Sequence, residues 1–201
     1  MSNTVSLAKK QSVDLSKANP GLTKIAMGLG WSPVKKKSGL FGLGGGTKDI
    51  DLDASCLLLD ASDRVVDTVW FRQKKSHCGA IIHSGDNRTG EGEGDDETID
   101  IDLTRLPSNV VTLVFTVNSF TGQNFNDVED ASSTVYDTSN GGKKSLGSFA
   151  LAEKGAHTGI FIASVTKKDG SWVFTAQGRI CPGRYLEDMV PTIQRELREV
   201  S

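Results

Sequence analysis

Apolar residues recur at every second position along much of this chain, a period that fits strands with one buried face. The clearest run is Ile25, Met27, Leu29 and Trp31, separated by Ala26, Gly28 and Gly30. Val13 and Leu15 begin the same alternation earlier, and Ile99, Ile101 and Leu103 resume it later. Residues 50–59 and 65–71 read as two strands joined by a hairpin at Ala61-Ser62-Asp63-Arg64. Residues 110–117 form a β-branched run suited to a central strand. Residues 159–166 and 171–176 flank Asp169-Gly170, a pair that tolerates positive φ and closes hairpins. Helix is scarce. Residues 187–200 place Ile193, Leu197 and Val200 at helical spacing, with Pro191 in the first turn. The expected fold is all-β: a mainly antiparallel β-sandwich rather than a barrel, with a short C-terminal helix. There is neither an internal repeat nor a linker, so residues 1–201 read as a single domain.

Charge is unevenly placed, although the formal net charge is only −2. Before Asp49 stand eight lysines and one acid, Asp14. Between Gly85 and Asp102 stand Asp86, Glu91, Glu93, Asp95, Asp96, Glu97, Asp100 and Asp102 against one base, Arg88. Carboxylates packed that closely repel one another unless a cation neutralises them. An acidic run can be no more than a solvated loop, but this one is interleaved with glycine. Gly90, Gly92 and Gly94 let the backbone curl and turn carbonyls inward. Asp86, Asn87, Asp95, Asp96 and Glu97 add side-chain oxygens at both ends of the loop. Calcium takes about six to eight such oxygens. Upstream, Asp49, Asp51 and Asp53 alternate, so a strand there would carry three carboxylates on one face. A shared metal would satisfy them; exposure of that face is the plain alternative.

The loop is not an EF-hand. Residues 86–97 span twelve positions with acids at both ends, but Arg88 and Gly90 occupy the third and fifth ligand positions. Glu91 also replaces the glycine needed at the sixth, and the flanks read as strands. Magnesium retains more of its water and takes fewer protein ligands, so the many oxygens favour calcium. His77, His83 and His157 lack zinc spacing and read as ordinary surface or core residues. In residues 39–48 (GLFGLGGGTK) threonine precedes lysine and a strand follows, which departs from a phosphate-binding loop. Residues 35–46 therefore read as a basic, glycine-rich connection, and Lys35, Lys36 and Lys37 give no strong nucleic-acid signal. No nucleophile elbow or Cys–His pair points to catalysis. Cys56, Cys78 and Cys181, an odd number without CxxC spacing, argue against a disulfide framework, and Cys56 reads as core. No secretory leader pattern and no 18-residue apolar stretch is present, so the expected location is the cytoplasm.

Several of these segments carry a family resemblance. Residues 22–31 (LTKIAMGLGW), 49–60 (DIDLDASCLLLD), 85–97 (GDNRTGEGEGDDE) and 122–125 (GQNF), with the late Gly170, Trp172, Phe174 and Gly178 pattern, resemble the TerD family. These are tellurite-resistance and stress-response proteins, and the similarity is greatest to the TerZ and TerD branches. The resemblance implies a compact β-sandwich that binds calcium, often as two ions in adjacent sites, and with the missing catalytic motifs the leading expectation is a calcium-binding, non-enzymatic module. It places the metal-site role on Asp51, Asp53, Asp86, Asn87, Asp95, Asp96 and Glu97, with backbone oxygens from Gly90 and Gly92. It further implies a part in tellurite, phage or general stress resistance, with other proteins of the tellurite-resistance system as partners and peripheral association at the inner face of the membrane. The alternative role for the same loop is a calcium-dependent membrane- or nucleic-acid-binding adaptor. Magnesium-dependent phosphoryl chemistry is a third reading that lacks a nucleotide motif. Residues 35–42 (KKKSGLFG) form an insert relative to shorter family members.

Overall fold

The computed structural model describes residues 6–33, 51–85, 94–119, 122, 124–150, 155–183 and 185–199. In chain order the elements are β1 (Ser12–Asp14), α1 (Leu15–Ala18), β2 (Lys24–Pro33), β3 (Asp53–Leu59), β4 (Val65–Val69), β5 (Ile81–His83) and β6 (Glu97–Asp102). They continue with β7 (Thr112–Asn118), β8 (Val128–Asp137), β9 (Lys144–Ala150), β10 (Gly159–Lys168), β11 (Ser171–Ile180) and α2 (Leu186–Glu199). One sheet has the order β1-β11-β10-β7-β3-β4 and the other β5-β6-β2-β8-β9. All pairings between these strands are antiparallel. The expected all-β sandwich with a C-terminal helix is what forms.

Alternation decides which side chains fill the space between the sheets. Ile25, Met27, Leu29 and Trp31 of β2 share one core with Ala54, Cys56, Leu58, Leu113, Phe115 and Val117 of β3 and β7. β3 and β7 are buried along their whole lengths because their second face is covered too. There Leu57, Leu59, Val114 and Phe161 meet Leu186, Met189 and Ile193 of α2. Strands buried on both faces read as continuous apolar runs rather than alternations. Burying each large side chain contributes about 1.5–3 kcal/mol. Arg179 and Glu196 form an ion pair at 2.8 Å that fastens α2 to β11. At the β10–β11 hairpin Asp169 and Gly170 take φ of 49° and 81°, as a tight turn of that type requires.

Several boundaries differ from the sequence pattern, each for a local reason. Leu15 opens α1 instead of extending β1, because the Asp14 carboxylate accepts the Lys17 amide and starts a helical turn. β3 starts at Asp53, so Asp51 precedes the strand and the alternation argument does not reach it. β4 stops at Val69, where Trp70 and Gln73 exchange backbone hydrogen bonds and reverse the chain. Leu103 leaves β6 for a 3-10 turn capped by Asp102. α2 begins at Leu186, so Pro191 lies inside the helix rather than in its first turn. Proline removes one backbone donor there, at an exposed position where water reaches the orphaned carbonyl. β8 and β9 have no counterpart in the alternation: Ser132, Ser133, Thr134, Ser145, Gly147 and Ser148 leave them without an apolar rhythm. The connection 35–46, Asp49, and Asp86, Asn87, Gly90 and Gly92 lie outside the described residues.

Candidate metal centre at the feet of the acidic loop

Residues 83–85 and 94–97 are the two feet from which the acidic loop departs. The second foot lies flat across β2, and the small residues of that strand allow it. A Cβ on Gly28 would fall 2.2 Å from the Asp95 Cγ, and one on Gly30 would fall 3.0 Å from the Gly94 carbonyl oxygen. Any larger residue would push the foot off the sheet. The Asp96 amide donates to the Leu29 carbonyl and the Trp31 amide donates to the Asp96 carboxylate, both at 2.8 Å. Thus the Gly28-Leu29-Gly30-Trp31 segment faces the core with its large residues and seats the loop with its glycines.

Asp95 rests on the outer face of the β2–β8 sheet. The Tyr136 hydroxyl donates to it at 3.2 Å, and the Lys143 ammonium stands 3.5 Å away and 5.2 Å above the Tyr136 ring. Burial, and then the Asp95 charge, push the Tyr136 phenol above its ordinary pKa. Glu97, the first residue of β6, faces the space between the sheets, where its side chain is 0 % exposed. The chain bends at residues 94–96 ahead of the strand and breaks the pleat that would have kept Glu97 on the side of Asp95. Its Oε2 accepts the Ala54 amide of β3 at 2.8 Å. Asp53 and Ser55 alternate with the core residues Ala54 and Cys56. With Asn118 they line a cavity of about 20 Å³ beneath Trp70, Phe71 and Tyr185, room for one water-sized occupant.

The structure therefore gathers the described candidates at one end of the sandwich but distributes them over several faces. Glu97 meets β3 beside Asp53; Asp96 caps β2; Asp95 sits on the far side of its sheet; Asp51 is half-buried just before β3. Among the described residues, no three His, Cys, Asp or Glu side chains converge closely enough to hold a metal ion by themselves. A larger cavity, about 280 Å³, opens instead at the β5–β6–β2 edge between Lys24, Ile82, Asp100, Asp102 and Arg105. It holds mixed charge and no nucleophile–base pair, so volume alone does not mark the centre of interest. Sequence reasoning set His83 aside, yet its ring touches Glu97. Its place two residues before Gly85, where the acidic segment begins, was the signal available.

Burial, with the Asp67 charge adding, pushes the Cys56 thiol far up, and burial pushes Cys181 up to about 11. Neither supplies thiolate near neutrality. Among the described residues no helix is long and apolar enough to cross a membrane.

Comparison with known proteins agrees with this architecture. The family model for the TerD domain matches residues 3–192. The tellurium resistance protein TerZ of Serratia marcescens is 54% identical over 185 residues, 92% of this chain and 94% of its own. The stress response protein SCP2 of Bacillus subtilis (strain 168) is 38% identical, with 92% and 97% covered. A solved homologue of the telluride resistance protein TerD from Streptomyces coelicolor A3(2) superposes with a TM-score of 0.64 at 24% identity, covering 81% of this chain and 92% of that one. With a domain model spanning nearly its whole length and relatives this similar from end to end, the chain belongs to the TerD family of tellurium-resistance and stress-response proteins.

Proposed function

We propose that this chain is a calcium-binding, non-enzymatic module of a tellurite-resistance and general stress-response system, acting through metal-stabilised contacts with partner proteins of that system. The carrying observation is the seating of the acidic loop: glycines of β2 and the edge of β3 hold both of its feet, and the acids there are carboxylates. An oxygen-only donor set on a preformed frame suits a hard cation. Asp51, Asp53 and Glu97 would serve from the β3 side, and Asp95 and Asp96 from the β2 side. Asp86, Asn87 and the Gly90 and Gly92 carbonyls would complete the set from the loop. Asp95 and Glu97 lie on opposite faces of one sheet, which favours two ions over one. Calcium would neutralise the crowded carboxylates and tie the loop to its feet, fixing one shape for a partner. The buried, high-pKa Cys56 and Cys181 support a binding role over thiol chemistry. The working location is the cytoplasm, with peripheral contact at the inner face of the membrane.

The test is isothermal titration of chelator-stripped protein with calcium, with magnesium as competitor, alongside melting curves. Ligand at one hundred times its dissociation constant stabilises by about 2.7 kcal/mol, a rise of roughly 5–10 °C for a domain this size. Neither heat nor a shift in melting temperature would refute the reading. An Asp95→Ala/Asp96→Ala double variant that kept the full rise would remove those two residues from the site.

A further inference from the structure

We infer that His83 is the positioning residue of the acidic loop: without reaching a bound ion, it fixes the Glu97 carboxylate and both feet of the loop to β3. The inference rests on the calcium reading only for its effect on affinity.

The geometry begins with an unfinished edge. The β3–β4 ladder starts at Cys56 opposite Val69, so among the described residues no strand runs beside Ala54 on that side. An unpaired amide and carbonyl in a buried place cost free energy unless side chains satisfy them. Two side chains from the other sheet do so together. Glu97 Oε2 accepts the Ala54 amide at 2.8 Å, and His83 Nε2 lies 3.1 Å from the Ala54 carbonyl oxygen. The carboxylate and the imidazole thus stand in for the missing strand at one residue.

The ring's tautomer follows from its other nitrogen. The Gly85 amide donates to His83 Nδ1 at 3.0 Å, so Nδ1 is an acceptor and the ring proton sits on Nε2. That proton is offered to the Ala54 carbonyl, with Glu97 Oε2 3.4 Å from the same nitrogen. With Nδ1 an acceptor the ring carries one proton, so the 3.4 Å approach to Glu97 is a polar contact rather than an ion pair. Both side chains are 0 % exposed, so water does not compete for these positions. One imidazole consequently joins Gly85 at the first foot, Glu97 at the second, and β3 of the facing sheet. Outer partners that orient a metal ligand typically change metal affinity about 10- to 100-fold when lost.

Two polar substitutions separate this role from simple space filling. The side-chain nitrogen of Gln reaches the place of Nε2, whereas Asn reaches only as far as Nδ1. In His83→Gln, calcium affinity measured by titration should stay within about threefold of the parent. In His83→Asn it should weaken about 10- to 100-fold. Amide exchange gives a readout that needs no metal: in calcium-free protein the Ala54 amide should exchange at least tenfold faster in His83→Asn than in His83→Gln. Equal affinities and equal Ala54 exchange in the two variants would overturn the inference. If the parent takes up no calcium, the calcium reading fails, and the exchange comparison alone decides whether His83 holds Glu97. If His83→Asn does not fold, the decision passes to His83→Gln, where faster Ala54 exchange than in the parent overturns the inference and parental exchange upholds it.

Discussion

Adding one methyl group at Gly28 should unseat the second foot of the acidic loop. The new Cβ would lie 2.2 Å from the Asp95 Cγ and 2.3 Å from each carboxylate oxygen, where ordinary contact begins at 3.4 Å. The carboxylate must then move by about 1 Å or more, because the sheet beneath it is close-packed. Moving it breaks the 3.2 Å hydrogen bond from Tyr136 and the 3.5 Å approach of Lys143. A hydrogen bond to a charged group contributes about 1.5–3 kcal/mol. The length of this one argues for the lower end, and the half-exposed lysine adds at most about 1 kcal/mol. Gly28→Ala should therefore destabilise calcium-free protein by about 2 kcal/mol, lowering the melting temperature by roughly 4–8 °C. The same loss of seating should weaken calcium uptake. A double-mutant cycle with Tyr136→Phe identifies the cause: alone, Tyr136→Phe should cost about 1.5 kcal/mol, and in the Gly28→Ala background almost nothing. Additive losses, or a Gly28→Ala protein that melts within 1 °C of its parent by about the precision of such scans, would refute the reasoning.

Acid sensitivity offers a second check. Burial pushes the Asp67 carboxyl up, but hydrogen bonds from the His77 side chain and amide, the Thr68 amide and Gln73 outweigh it and leave its pKa below the ordinary 3.8. The folded value lies under the unfolded one, so this stabilisation is complete above about pH 4–5 and is lost as pH falls through the folded value. Asp67→Asn should melt lower at pH 7 yet lose less on acidification from pH 5 to pH 3, read by thermal melts across that range; parallel curves would count against the pairing. The thiols should also report burial. At pH 8 a thiol reagent should label Cys78 quickly in folded protein and reach Cys56 and Cys181 only after denaturant is added.

How much of this was legible in the chain varies by residue. The alternation of Ile25, Met27, Leu29 and Trp31 specified both a strand and its core face, because side chains on a strand point alternately to its two sides. Asp169-Gly170 specified a hairpin through backbone sterics alone. β8 and β9 were not legible, because their burial depends on neighbouring strands rather than on any apolar rhythm of their own. The small residues of β2 were visible, but their purpose was not: Gly28 and Gly30 are small because residues 94–96, distant in sequence, lie on them.

By itself the sequence determined the two-sheet class, the family and the crowding of carboxylates between Gly85 and Asp102, all properties of local composition and period. Only the tertiary structure decided how those carboxylates divide. Asp95 and Glu97 stand two apart in an acidic run, a spacing that a continuous strand would keep on one face. The bend at residues 94–96 before β6 instead sends one outward to Tyr136 and Lys143 and the other inward to Ala54. Only the tertiary structure, too, brought His83 to Glu97. The strand beside Ala54 stops short, and the unsatisfied edge draws partners from the facing sheet, a long-range demand that leaves no trace in local spacing.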